Sequence, residues 1–395
     1  MRRTHVVICG VPHPPLPTTL VNADLAVARH GALGQRWLAA MWDGDPLADA
    51  VARDGASRLL REALAGRPLP DDAPASVRAL LDAVTTNPTW LDRDACDRAA
   101  GHLTRQTREY GLVLGAASLL AGAGNHVAGK PLAFTGRYAS NAAVRSLEVA
   151  AWLTPVTTPG GLLPTGPGFE RTVRVRMIHA LVRGRLAGDA RWDHAAWGVP
   201  IPQPFMAFTL AEFCSVALKA MNKLGVRFTA AETADILHLW RYVGHLVGVA
   251  PDLTPMTMAD YDAIEDLYAL TSPGPDAEDR HFIAALTDFQ ATEAARLLPP
   301  GPARRRAKAI INGYQRAFIG DAAADALGLP DTRFKHLPRL TAPLRIAAFA
   351  THDRLIPNGK ARRTTRGATH RTTELTRMRT EHAMTHNLVD EVATS

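Results

Sequence analysis

One histidine stands among arginines in the stretch TVRVRMIHALVRGRL, residues 172–186. His179 follows Arg176 by three residues and precedes Arg183 by four. A helix advances about 100° per residue, so these three side chains share one face. The apolar residues predicted to form a broad inward arc are Val173, Met177, Ile178, Leu181, Val182 and Leu186. His179 falls at the edge of that arc, where its side chain would reach an apolar interior between two guanidiniums.

This spacing suits a role for His179 as a metal ligand, although spacing alone favours a packed or hydrogen-bonded histidine. Two neighbouring cations oppose protonation of an imidazole, and the neutral imidazole is the form that binds a metal. Guanidiniums also bind carboxylates. A haem combines both requirements, because its iron takes an imidazole and its propionates take arginines. The alternative is a histidine that packs or forms a hydrogen bond at the margin of an amphipathic helix.

A second group lies in SNAAVRSLEVAAWL, residues 140–153. Arg145, Glu148 and Trp152 recur at i, i+3 and i+7, which places them on one helix face. In an apolar pocket, Arg145 would hold the Glu148 carboxylate, which would act as an acid or base toward an oxygen species. The alternative is an ordinary ion pair between neighbouring turns.

A third group lies in HLWRYVGH, where His238, Arg241 and His245 share a face. Two histidines at this spacing could bind a separate metal, but the pattern favours hydrogen-bond donors or propionate partners around a cofactor. Other motifs fail their structural tests. The glycines of GAGNHVAG (122–129) follow no strand, HAMTH (382–386) lacks the glutamate of zinc helices, and RRRAK (304–308) belongs to no nucleic-acid module.

Composition predicts an all-α protein. The 395 residues are 47% hydrophobic, and the pattern contains helical periodicity without alternating strands. Net charge is 45 − 38 = +7, and residues 358–386 contribute seven basic and two acidic side chains. Three cysteines form no disulfide framework and indicate a reducing compartment. The first apolar run, Val6 to Val11, is short for a signal peptide, and no stretch approaches the ~18 residues of a membrane span. We therefore expect a cytoplasmic protein without a membrane span or a nucleic-acid partner.

Periodicity and capping residues predict the elements that position these groups. The predicted helices cover residues 47–66, 71–86, 111–124, 140–153, 169–187, 205–225, 229–249, 276–298 and 303–327. Three regions follow: a Pro-rich extended segment over 1–19, a single helical domain over 20–350 and a basic tail over 351–395. Apolar residues are rare in the tail, which is predicted to be mobile or to pack along the body or on a partner.

Three blocks together resemble the latex-clearing protein (rubber oxygenase) family and the wider mpaB-type oxygenase-like family. They are VRMIHALVR (175–183), PIPQPFMAFTLAEFC (200–214) and ILHLWRYVGHLVGV (236–249), within roughly residues 100–260. The resemblance implies a globin-like helical bundle that encloses a haem b. It also implies that His179 is the proximal iron ligand, that Arg176 supports it, and that the reaction is oxidative cleavage of an isoprenoid double bond by O₂.

The chain departs from the rubber-cleaving pattern on the distal side. That branch carries Arg-x-x-Lys-Thr, whereas this chain has Arg145, Glu148 and Val149 at the matching spacing, and the base of that branch is absent near Gly129. A small apolar substrate, such as a prenylated or other natural-product intermediate, is therefore expected. Two alternatives are a haem peroxidase or dehydratase, and a non-catalytic haem-binding or helical interaction protein with an anionic partner. A monomer or a homodimer fits the sequence.

Overall fold

The computed structural model describes residues 14–134 and 142–381, except for the side chains of Ala142, Ala143 and Arg145. The first ten α-helices are α1 (Ala23–Ala39), α2 (Pro46–Arg53), α3 (Ser57–Leu64), α4 (Ala75–Thr85), α5 (Arg93–Arg105), α6 (Thr107–Val113), α7 (Leu119–Gly122), α8 (His126–Phe134), α9 (Ala142–Val156) and α10 (Pro167–Ala187). The others are α11 (His194–Trp197), α12 (Gln203–Ala211), α13 (Ala217–Lys223), α14 (Ala230–Val247), α15 (Met258–Thr271), α16 (Ala277–Leu297), α17 (Pro302–Arg305), α18 (Ala307–Ile319), α19 (Asp321–Ala326), α20 (Leu337–Leu355) and α21 (Gly359–Glu381). No strand occurs in these two ranges, so the predicted all-α class is confirmed.

The principal core surrounds α10 and α14. Helix α14 begins with a capping box, in which the Thr229 hydroxyl accepts from the Glu232 N–H and the Glu232 carboxylate accepts from the Thr229 N–H. It ends at Gly248, whose φ of 86° is the left-handed conformation that suits glycine. The largest fully buried side chains of this core include Trp37, Phe169, Trp240, Tyr242 and Tyr261.

Two π-helical turns interrupt otherwise continuous helices and lie against each other. One is Leu114–Ser118, between α6 and α7, and the other is Glu212–Val216, between α12 and α13. The Ser118 hydroxyl donates to the Glu212 carbonyl at 2.5 Å, and the Tyr110 hydroxyl donates to the Phe213 carbonyl at 2.7 Å. These side chains satisfy carbonyl groups in the π turn within the apolar core.

The helix Gln203–Lys223 is long and apolar enough to cross a membrane, with a mean hydropathy of 1.3. However, 61% of its apolar window is buried inside the protein, as is typical of a core helix. A second candidate joins Thr107–Gly122 to His126–Phe134, but the two parts meet at 102°. Length and composition alone are therefore weak evidence for a span in the part of the chain that the structure describes.

The basic C-terminal segment forms α21, which packs on the body. Arg371 donates from Nη1 to the Thr157 hydroxyl at 2.7 Å and from Nη2 to the Thr158 hydroxyl at 2.8 Å. Arg377 lies 2.6 Å from Glu293 on α16. Of the three possibilities predicted for this segment, residues 359–381 show packing along the body. The proposed division at residue 351 falls inside α20, and most of the proposed N-terminal segment, residues 1–13, lies outside the described ranges.

Candidate functional site

Helices α9 and α10 lie antiparallel beside each other. The Trp152 indole donates to the Thr172 hydroxyl at 3.2 Å, and Arg171 donates to the Ala151 carbonyl at 2.6 Å. The two helices also meet nearer their connection, because a Cβ at Gly168 would lie 2.8 Å from the Pro155 carbonyl oxygen. Positions toward the start of α9 therefore match positions toward the end of α10. Position 145 on α9 and His179 on α10 are each seven residues from the Trp152–Thr172 contact, about 10 Å along their helices at 1.5 Å per residue.

By this count, two of the predicted groups lie at corresponding heights on neighbouring helices. Glu148 is buried on α9, and its level on α10 is about that of Arg176. His179 is half-buried, two helical turns from Thr172 on the same face. The Arg145 side chain lies outside the described residues, so its predicted contact with Glu148 stays a prediction.

The buried face of α10 differs from the predicted apolar arc. Arg176 and Arg183 are only 6% and 5% exposed, whereas Ile178, Leu181 and Val182 are merely half-buried. The arc was predicted on hydropathy alone, which assigns arginine to the surface. Both guanidiniums point inward because α2 supplies a carboxylate for each.

The Arg176 guanidinium forms a buried bidentate ion pair with Asp45. Nε and Nη2 donate to its two carboxylate oxygens at 2.6 and 2.9 Å. The Asp45 carboxylate also caps α2 by accepting from the Ala48 N–H at 3.2 Å. Gly248 completes the enclosure, because a Cβ there would lie 2.6 Å from Arg176 Nε. This charge pair therefore lies where four segments meet: the start of α2, α10, the end of α14 and the region of Gln203.

Gln203 links the same segments through backbone groups. Its amide nitrogen donates to the Gly44 carbonyl at 2.8 Å and to the Gly248 carbonyl at 3.0 Å. Its amide oxygen accepts from the Ala250 N–H at 2.8 Å. Gln203 is 3% exposed, so this network lies in the interior beside the ion pair.

The Arg183 guanidinium is held less tightly. Its Nη1 lies 3.4 Å from Asp49, and its Nη2 lies 3.9 Å from the Met206 sulfur. Burial lowers the pKa of Arg183 and, for the carboxylate, raises the pKa of Asp49. Nε and Nη1 of Arg183 have no hydrogen-bond acceptor within the described ranges. This guanidinium therefore retains capacity for a further anionic group.

These pairs change the electrostatics that the sequence predicts around His179. Two carboxylates offset much of the positive charge of Arg176 and Arg183. Each guanidinium therefore has a counter-charge that the sequence pattern did not include, and the effect of the two cations on His179 stays a prediction. That both arginines bind the cofactor stays a prediction. It has more support for Arg183, which has N–H groups without hydrogen-bond acceptors, than for Arg176, which already donates two hydrogen bonds to Asp45.

The Trp90 ring contacts three polar side chains of α14, which are His238, Arg241 and His245. The Asp92 N–H donates to His238 Nε2 at 2.9 Å, and His245 donates from Nε2 to the Ala83 carbonyl at 3.1 Å. Burial is the largest cause that lowers the pKa of both histidines.

The Arg241 guanidinium lies 3.9 Å from the centre of the Trp90 ring, a cation–π distance. These contacts join α14 to the segments around α4 and α5. Across residues 14–134 and 142–381, no three histidine, cysteine or acidic side chains are grouped to hold a metal ion. The roles predicted for His238, Arg241 and His245 toward a cofactor stay predictions.

Aromatic side chains form a wall where the end of α9 contacts the start of α10. The Trp152 ring meets Phe213 edge-on at 5.1 Å between centroids, and Phe213 stacks on Trp240 at 5.3 Å. The wall adjoins Thr172, on the face of α10 that carries His179. The three rings belong to the main core, in which Trp240 is fully buried and Trp152 and Phe213 are half-buried.

Sequence reasoning missed four residues that organise this region, Asp45, Asp49, Gln203 and Gly248. Asp45 precedes Pro46 at a helix start, which signals a cap but names no distant partner. Gln203 lies within the quoted PIPQPF block, although no spacing rule assigns it a contact. Their roles depend on which segments meet in space.

The fold and the helix carrying His179 are those of an oxygenase family. The family model described as ER-bound oxygenase mpaB/B'/Rubber oxygenase, catalytic domain, matches residues 104–351, and the chain belongs to this family. Among its relatives is the rubber oxygenase of Streptomyces sp. (strain K30), which is 26% identical over 334 residues, covering 80% of this chain and 77% of the relative. The resemblance predicted from the sequence blocks is confirmed.

A solved structure of latex clearing protein LCP in the closed state has the same all-helical fold. Its TM-score with this chain is 0.62 at 22% identity, and the match covers 82% of this chain and 88% of the other. The comparison therefore extends the fold well beyond the blocks that carried the sequence resemblance.

Proposed function

We propose that this protein is a haem b-dependent oxygenase or oxidase that acts on an apolar substrate in the cytoplasm. The observation that carries the proposal is the pairing of α9 with α10 at Trp152 and Thr172, from which equal counts along the two helices reach position 145 and His179. The family supplies the reaction class, and the named relative is an oxygenase of rubber.

The donor set around His179 fits a haem. A haem iron needs one imidazole from the protein, and the family resemblance gives that role to His179. The N–H groups of Arg183 that lack acceptors, one helical turn further along α10, suit a propionate. When bound, the haem would supply an iron that activates O₂.

The protein's own groups would do the rest. The two ion pairs to α2 fix α10, and therefore the direction of the His179 side chain. The buried Glu148 carboxylate would hold or move a proton at one of its oxygens, and its burial would limit access of water. His179 would orient the cofactor, and the half-buried rings of Trp152 and Phe213, backed by the buried Trp240, would contact the substrate.

The substrate we favour is a small apolar molecule, such as a prenylated natural-product intermediate. Glu148 and Val149 replace the lysine and threonine that the resemblance associates with rubber cleavage. A carboxylate in place of an ammonium reverses the charge at this position and replaces a proton donor by a proton acceptor. An isoprenoid group would still suit the aromatic wall, because its burial removes apolar surface from water.

The test is an absorption spectrum with iron analysis of the purified protein, using His179→Ala and, as a matched control, the exposed His281→Ala. We expect an intense Soret band and about one iron per chain in the wild type and in the His281 variant. The His179 variant should lose the band while its circular dichroism stays helical. An unchanged spectrum in His179→Ala would remove the ligand assignment, and a wild type that binds no haem when supplied with it would overturn the proposal.

A further inference from the structure

Helix α20 presents an apolar face to solvent. Leu340, Leu344 and Leu355 are 68%, 73% and 72% exposed, three of the four most exposed large hydrophobic side chains in the described ranges. At about 100° per residue they fall within 60° of one another, and the exposed Ala347 and Thr351 lie along the same stripe. The opposite side of α20 packs on the body, where the Phe349 side chain joins the main core.

The same face contains no acidic residue. The single acid of α20, Asp353, pairs with Arg363 on α21 at 2.8 Å. Two exposed arginines border the stripe, Arg339 near one end and Arg354 near the other. Neither has an ion-pair partner in the part of the chain that the structure describes.

Positive charge is concentrated in this part of the molecule. Residues 333–381 hold twelve Lys and Arg and three Asp and Glu, a net charge of +9. The whole chain is +7, so the remaining residues sum to −2. The cationic excess thus belongs to the layer formed by α20 and α21, and a partner of opposite charge is expected on this side.

We propose that the outward face of α20 docks on an anionic lipid membrane, with the leucines among the acyl chains and the arginines at the headgroups. An amphipathic helix with leucines on one face and arginines at its margins is suited to lie in a bilayer interface. A second copy of the chain fits less well, because pairing two such faces brings arginines together without acids to match them. The inference concerns peripheral attachment and does not depend on the proposed function.

Vesicle co-sedimentation of the full-length protein tests this docking. We expect binding to mixed phosphatidylcholine and phosphatidylglycerol vesicles that weakens at high salt, and little binding to phosphatidylcholine alone. The triple substitution Leu340→Gln, Leu344→Gln and Leu355→Gln should lower the binding constant at least about ten-fold. The control Leu297→Gln, which changes an equally exposed leucine at the end of α16, should bind as the wild type does.

A fluorophore at Thr351→Cys gives a second, local readout. Cys96 and Cys214 are buried, and burial raises the pKa of both thiols, that of Cys96 to about 12, so both should resist labelling in a Cys9→Ser background. A blue shift on addition of anionic vesicles supports insertion of the face.

Three results would overturn the proposal. One is no vesicle binding by the wild type, and another is equal binding by the triple variant. The third is a wild-type dimer that the triple variant converts to a monomer, with no fluorophore shift on vesicles, which would assign the face to self-association. Because none of these measurements requires turnover or haem, failure of the docking and failure of the proposed function remain distinguishable.

Discussion

Asp45 and Arg176 are separated by 131 residues in sequence and are joined by two hydrogen bonds in the interior, at 2.6 and 2.9 Å. Their side chains are 3% and 7% exposed. The pair ties the start of α2 to the helix of His179, and it lies against Gly248 at the end of α14. The orientation of the candidate iron ligand is therefore set in part by a carboxylate outside its own helix.

Replacing Asp45 by Asn should destabilise the protein by about 3 kcal/mol, because the substitution leaves the Arg176 cation buried without a counter-charge. Asn remains a good N-cap, so the α2 cap is preserved. Urea unfolding measures the change in free energy. In the control Asp43→Asn, an ion pair with Arg36 is lost from a more exposed site, and the cost should be about 0.5 kcal/mol. Equal losses in the two variants would contradict the role of burial.

Gly248→Ala should cost about 3 kcal/mol, since φ of 86° disfavours alanine and the new Cβ would press on both Asp45 and Arg176. Gly55→Ala is the matched control. Gly55 also has a positive φ, 65°, but its Cβ would meet no heavy atom within 4 Å, so only the backbone cost of about 1 kcal/mol applies. Thermal unfolding of both variants separates strain from collision, and a Gly55 variant as damaged as the Gly248 variant would rule out the collision.

Glu148→Gln should retain the haem spectrum and lose turnover by about 10²- to 10⁴-fold, because the amide cannot transfer the proton that we assign to the carboxylate. Turnover is measured with an isoprenoid substrate and, separately, with O₂ and H₂O₂ as oxidants. Dependence on O₂ supports an oxygenase or oxidase, whereas dependence on H₂O₂ would point to peroxidase chemistry. Unchanged turnover in Glu148→Gln would reduce this residue to a partner in an ion pair.

Glu232 predicts a defined loss of stability in acid. Burial opposes its ionisation, but the Thr229 N–H and the Arg105 guanidinium outweigh that effect and hold the pKa of Glu232 at about 2. The ordinary value is 4.5, so the folded state binds this proton less readily than the unfolded state does. The contribution, roughly 2 kcal/mol after allowance for screening by solvent, is present above pH 4.5 and is lost as the pH falls toward 2.

Urea unfolding as a function of pH measures this contribution, with Glu232→Gln as the test variant and Glu62→Gln, from a more exposed pair with Arg58, as the control. The Glu232 variant should show a shallower decline between pH 4.5 and 2 than either the wild type or the control. Parallel curves for all three proteins would show that the Glu232 interactions do not carry the decline.

Local patterns predicted much of the helical framework. The His179 helix was expected over 169–187 and spans Pro167–Ala187, and the apolar helix expected over 205–225 runs from Gln203 to Lys223. The predicted helix 47–66 is instead α2 and α3, because Gly55 adopts a positive φ between them. Helical periodicity persists across such a break, so the pattern did not predict that the helix ends there.

Contacts between distant segments determine the features that local patterns could not predict. Hydropathy places Arg176 outside, and only the approach of α2 shows why it is inside. Segment 359–381 has few apolar residues, yet it is helical in the structure because its arginines reach threonines and carboxylates of the body. The site likewise needed a register between α9 and α10, which no single-segment pattern contains.

The matched catalytic segment begins at residue 104, and both carboxylates that face Arg176 and Arg183 lie before it. A fragment limited to residues 104–351 would keep the two arginines and lack the carboxylates that balance their charge. It would also lack the hydrogen bond from Arg371 to Thr157. The cooperative folding unit is therefore larger than the region that defines the family, and expression of the short fragment should yield aggregated or partly unfolded material.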